Sequence, residues 1–120
     1  MNVLIVECRS GLGQIWSDHV ARLGCRVTLV HSQQDAEEFL RGQDFDVLVV
    51  NLKLDPSVGD ASAIADYASF RQPNAKIVCV SSNSFFSDGS IFNFMPNACA
   101  MIPQNTQPED LAALVEYHAR

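Results

Sequence analysis

In this sequence, groups able to do chemistry follow apolar runs: Glu7 and Cys8 after VLIV, Asn51 after VLVV, Ser81 after IVCV, and Gln104 with Asn105 after AMIP. Mg²⁺ wants several carboxylate oxygens together with phosphate, so a set offering one carboxylate, a thiol and neutral amides is expected to hold no metal. Nor is the amide of Asn51 a nucleophile that could carry a transferred group. Cys8 is a candidate redox thiol, although its acidic neighbour Glu7 opposes thiolate formation and a quiet, partly buried cysteine is the simpler expectation. His19, His31 and His118 belong to separate segments and form no triad with serine or cysteine. No catalytic residue is assigned.

A second kind of chemistry is suggested by SGLGQIW (residues 10–16), where Ser10, Gly11 and Gly13 sit between an apolar run and a helix-period segment. Glycines there can admit a pyrophosphate to a helix N-terminus, which makes a small nucleotide- or flavin-binding protein the competing reading. The dinucleotide fingerprint asks for glycine directly after the strand, and Glu7 stands there. Trp16 takes the last glycine position, and His31 replaces the acid that would hold the ribose. No bound cofactor is expected.

These groups are positioned by five strand-like runs, residues 3–6, 27–30, 47–50, 77–80 and, more weakly, 100–102, each followed by a segment of helical period. Apolar strands alternating with helices call for an α/β architecture with a parallel sheet covered on both faces. Leu12, Ile15, Trp16, His19, Val20 and Leu23 recur at helical spacing before Gly24, a helix stop. Ser32 and Asp35 cap the next helix, whose inward face is read as Ala36, Phe39 and Leu40, with Gly42 at its end. A third helix is predicted from Asp60, carrying Ile64, Ala65 and Ala68 and stopping before Pro73. In FFSDGSIFNFMP, Ser87 and Asp88 cap a short fourth helix that Gly89 weakens and Pro96 closes. Thr106, Pro108 and Glu109 read as a capping box for the last helix, followed by Leu111, Leu114 and Val115.

The 120 residues suit one domain, and 48% hydrophobic content supplies its core. A net charge of −6 with eight scattered basic residues argues against nucleic-acid binding. The opening MNVLIVECRS has neither a basic leader nor a membrane-length apolar run, so a soluble cytoplasmic protein with no membrane partner is expected. None of the cysteines Cys8, Cys25, Cys79 and Cys99 forms a CxxC pair, and in a reducing compartment they read as small buried hydrophobes.

Ligands of an open parallel sheet collect at the carboxyl ends of its strands. NVLIVEC, FDVLVVNLKLDPSVGD, KIVCVSSNS and AMIPQNTQPEDL resemble the corresponding segments of response-regulator receiver domains over the whole chain. The resemblance implies a flavodoxin-like, doubly wound five-stranded sheet of strand order 2-1-3-4-5. In that family the strand ends carry two acids that hold Mg²⁺, a phosphoacceptor Asp, a Thr or Ser, and a Lys-Pro pair. The matching positions here are Glu7 with Cys8, Asn51, Ser81, and Gln104 with Asn105. Acceptor, metal ligand and lysine are therefore replaced together, which implies a degenerate pseudo-receiver that is not phosphorylated. Gln104 is expected to hydrogen-bond Asn51 or Glu7 in a neutral cluster.

Receivers dock and dimerise through the fourth helix, fifth strand and fifth helix. Phe92, Phe94, Met95, Met101 and Tyr117 fall on that face, with Met101 in the place of the family's switching aromatic. Four of the seven phenylalanines crowd residues 85–94, as candidates for core or for a partner surface. The implied partner is a histidine kinase, another regulator or a second copy of the chain.

Overall fold

Alternate residues of each central strand are driven to opposite sides by the pleat, and both sides are apolar, so the strands can only sit inside a layered structure. The computed structural model describes residues 1–81 and 98–119. It places β1 (Asn2–Val6), β2 (Arg26–Val30), β3 (Val47–Asn51), β4 (Lys76–Ser81) and β5 (Ala98–Pro103) in one parallel sheet of order β2-β1-β3-β4-β5. The described helices are α1 (Ser10–Ala21), α2 (Gln33–Gly42), α3 (Ala61–Arg71) and α4 (Pro108–Ala119). The predicted fourth helix, with Phe85, Phe86, Phe92, Phe94 and Met95, lies outside the described residues.

The core has two layers. Leu4, Val6, Leu48, Val50, Ile77 and Cys79 meet α2 and α3 through Ala36, Leu40, Ile64, Ala65 and Ala68. Val3, Ile5, Val47, Val49, Val78 and Val80 meet α1 and α4 through Trp16, Val20, Leu111, Ala112 and Val115. The face that α3 turns to the sheet is made of Ala61, Ile64, Ala65 and Ala68, all buried.

Helix starts follow the sequence at two points. Ser32 Oγ accepts the Asp35 N–H at 3.2 Å, and Asp60 Oδ1 accepts the Ser62 N–H at 2.9 Å. The capping box at α4 does not form. Thr106 Oγ1 instead donates to Pro103 O at 2.7 Å, and the helix opens one residue later, with Leu111 N–H on Gln107 O at 3.0 Å. Near the end of α1, Gly24 adopts φ 90°, a left-handed conformation that glycine takes without strain, and its N–H caps Ala21 O at 3.0 Å.

Helical spacing overstated three apolar positions. Ile15 and Phe39 are 46% and 41% exposed on their helices, and Leu23, 46% exposed, lies in the turn that follows the end of α1 at Ala21. His118 is half-buried, with its ring edge-on to Tyr117 at 5.1 Å. Among the described residues no helix is long and apolar enough to cross a membrane.

Candidate functional site

Parallel pairing of β1 with β3 and of β3 with β4 brings Glu7, Asn51 and Ser81 to the same end of the sheet. All three are buried, at 0%, 1% and 7% exposure, although none is apolar. Burial of a carboxylate is costly unless every oxygen is satisfied. Glu7 Oε2 accepts from Asn51 Nδ2 at 2.5 Å. Glu7 Oε1 accepts from the Arg9 N–H at 3.0 Å, from Arg9 Nε at 3.3 Å and, weakly, from Cys8 Sγ at 3.7 Å. Three donors thus fall on Oε1 and one on Oε2, so both oxygens of the carboxylate are engaged.

Asn51 faces two ways. While its Nδ2 serves Glu7, its Oδ1 accepts the Lys53 N–H at 2.8 Å. Both ends of the amide are thereby used, and this fixes its orientation: a carboxylate at this position could accept from Lys53 but could not donate to Glu7. Backbone bonds stitch the neighbouring strand ends, with Leu52 N–H on Val80 O at 2.8 Å and Gln104 N–H on Ser81 O at 2.9 Å.

The side chain of Gln104 makes no hydrogen bond to Glu7 or Asn51 among the described residues. Gln104 joins this end through its backbone and Asn51 takes its second bond from Lys53, so the expected bond from Gln104 to Asn51 or Glu7 gives way to a chain of Arg9, Glu7, Asn51 and Lys53. Cys8 is half-buried beside the apolar layer formed with α2 and α3. Arg9 is the residue that sequence reading missed. Its side chain is 48% exposed, so the guanidinium bridges solvent and a fully buried carboxylate. An arginine two positions after a strand-end acid was the available signal. His31 was also missed in this role: its Nδ1 lies 2.8 Å from Glu7 O, tying the end of β2 to that of β1.

Residues 10–13 form the first turn of α1 rather than an open loop. Gly13 is buried there, and a Cβ on it would sit 2.9 Å from Leu29 Cδ1 and 3.4 Å from Glu7 Cβ. Its lack of a side chain serves helix-to-strand packing.

Three thiols are held protonated. Burial pushes Cys79 up to about 12 and raises Cys25 and Cys99 above their ordinary value. Among the described residues no three His, Cys, Asp or Glu side chains converge as a metal site.

Of the predicted partner-binding residues, Met101 packs against the layer containing α2 and α3. Tyr117, 67% exposed on α4, lines a groove with Lys76, Cys99 and His118 at the amino ends of β4 and β5. The structure thus sets these two residues on opposite sides of the sheet rather than in one contact.

No protein-family model and no curated protein matches the sequence. Solved structures do. A CheY-like response regulator receiver domain protein from Methanospirillum hungatei superposes with TM-score 0.85 at 17% identity, covering 98% of this chain and 92% of that one. A response regulator receiver protein from Sinorhizobium medicae gives 0.83 at 22% identity, covering 99% and 94%. The response regulator TrrA from Thermotoga maritima, in complex with Mg²⁺ and BeF, gives 0.80 at 11% identity, covering 98% and 97%. The chain therefore has the fold of response-regulator receiver domains.

Proposed function

We propose that the chain is one receiver-like domain acting as a pseudo-receiver, a signalling module of the two-component type that works through protein contacts and without an aspartyl phosphate. The observation that carries this reading is the buried Glu7–Asn51 hydrogen bond. It is formed by an amide where a receiver has its acceptor carboxylate, and it occupies the oxygen that a metal would need. A signalling role follows from the fold by analogy with the structures it resembles. On this reading the protein is not an enzyme, and it acts in the cytoplasm.

Its partners would be a histidine kinase, another regulator or a second copy, and of the residues expected to meet them Tyr117 is the exposed one among those described, Met101 being packed on the other side of the sheet. No geometric feature favours nucleotide or flavin binding at residues 10–13.

Incubation with a small-molecule phosphodonor and Mg²⁺, followed by intact mass measurement, tests the central claim. The mass is expected to stay that of the unmodified chain. A phosphoryl adduct mapped to Asn51 or its neighbours in the pocket would overturn the proposal.

A further inference from the structure

Gln33, the first residue of α2, is held by three hydrogen bonds. Its N–H donates to Val58 O at 2.8 Å, its Oε1 accepts the Asp60 N–H at 3.0 Å, and its Nε2 donates to Glu37 Oε2 at 2.8 Å. Two of these bonds bind the β3–α3 loop to α2. Between them Gly59 takes φ +138°, and a Cβ there would overlap Gln33 Cβ and lie 3.1 Å from Gln33 N. Only glycine permits so close a seam.

The loop is braced along its length. Asp55 Oδ1 accepts the Ser57 N–H at 2.9 Å and the Ser57 hydroxyl at 2.8 Å, which holds its carboxyl below the ordinary value. Val58 N–H closes the turn on Asp55 O at 2.9 Å. At the other end of the same segment, Leu52 N–H is on Val80 O and Lys53 N–H is on Asn51 Oδ1, each at 2.8 Å. The segment from Asn51 to Asp60 is thus bonded to the buried pocket at its start and to α2 at its finish. Shallow grooves run along both sides of the seam, sharing Gln33, Pro56 and Gly59, so solvent and partners reach it.

We infer that Gln33 is a latch coupling α2 to the pocket, so that disturbing the α2 seam loosens Asn51 and disturbing Asn51 loosens the seam. The bistable element is the loop, closed on Gln33 or released from it. Such coupling is reciprocal by thermodynamic necessity. It goes beyond the reading of the pocket above and does not depend on whether Asn51 accepts a phosphoryl group.

Residue-resolved amide exchange tests it. In Gln33→Ala, Asp60 loses its acceptor directly, so the informative amide is Lys53, whose acceptor Asn51 is untouched. Its exchange should quicken about tenfold, the equivalent of one lost hydrogen bond, while Val49 and Val78 in the sheet keep theirs. In Asn51→Ala, Asp60 should quicken by a similar factor. Should Gln33→Ala not fold, Gln33→Glu keeps the acceptor for Asp60 but repels Glu37, and Lys53 should quicken by a smaller factor. Faster exchange confined to Asp60 in either Gln33 variant, with Lys53 unchanged, would overturn the inference.

Discussion

The two ends of β3 hold their loops by different means. At its amino end no buried charge is used: Gln72 Oε1 accepts the Phe45 N–H at 2.7 Å, Gln72 Nε2 donates to Leu40 O at 3.0 Å and to Gln43 O at 2.7 Å, and the carboxylate of exposed Asp46 accepts the Asn2 N–H at 2.8 Å. At its carboxyl end the anchor is a carboxylate with 0% exposure, Glu7, balanced by the Asn51 amide and a half-exposed arginine. Gln72 shows that tying chain segments together requires no buried charge. Desolvating a carboxylate costs on the order of several kcal/mol before its partners offset it. Tying the strand ends together does not by itself account for Glu7, so the two ends of β3 differ in kind: one is held by a neutral amide and the other by a buried charge.

The largest expected effect comes from placing a second charge at that end. Asn51→Asp removes the donor to Glu7 and sets two carboxylates within hydrogen-bond distance, so about 3 kcal/mol of stability should be lost at neutral pH. Such a pair binds a proton more readily folded than unfolded, so its pKa is raised. The lost stability should accordingly return on acidification and vanish as pH rises. Added Mg²⁺ should restore part of it by binding the new carboxylate pair. Urea unfolding followed by fluorescence of Trp16, the sole tryptophan, measures this. An unchanged midpoint would mean that the Glu7–Asn51 bond is not the anchor described.

A smaller loss is expected at the amino end. Gln72→Ala abandons one N–H and two carbonyls of the backbone but leaves no buried charge behind, and about 2 kcal/mol should go, with little dependence on pH. The same unfolding measurement at several pH values separates the two ends. A marked pH dependence in Gln72→Ala, or a flat profile in Asn51→Asp, would break the contrast.

Much of this was legible from residue order because apolar alternation and strand length report directly on burial. The runs VLIV, VLVV and IVCV, with Asp60 and Ser32 as caps, lead to the sheet and to α2 and α3 without knowledge of distant contacts. Glu7, Asn51 and Ser81 were legible for the same reason, since a strand end has one location in a parallel sheet. What escaped were partners set by tertiary geometry. Arg9 turning back on Glu7, Lys53 offering its backbone N–H to Asn51, and Gln33 reaching the loop near Gly59 leave no periodic trace. Phe39 was misplaced because helical period locates a stripe but not its width. Thr106 donates its hydroxyl back to Pro103 O, and the helix opens at Gln107, one residue beyond the threonine expected to cap it.

The smallest effect concerns His118, at the amino ends of β4 and β5. Burial, and after it the nearby Lys76 ammonium, lower its pKa from 6.5. The folded state thus favours the neutral imidazole, while the unfolded chain takes up a proton at the ordinary value. The stabilising contribution is complete above pH 6.5 and is lost as pH falls through the lowered folded value. In wild type this acts as a small acid-side loss of stability, opposite in sign to the recovery expected of Asn51→Asp. His118→Gln should flatten it, whereas Lys76→Met should shrink it without abolishing it, because burial is the larger cause. Unfolding midpoints collected on either side of pH 6.5 decide the matter. If Lys76→Met leaves the acid-side loss as large as in wild type, the ammonium does not act on the ring, and the amino end is electrostatically quieter than its geometry indicates.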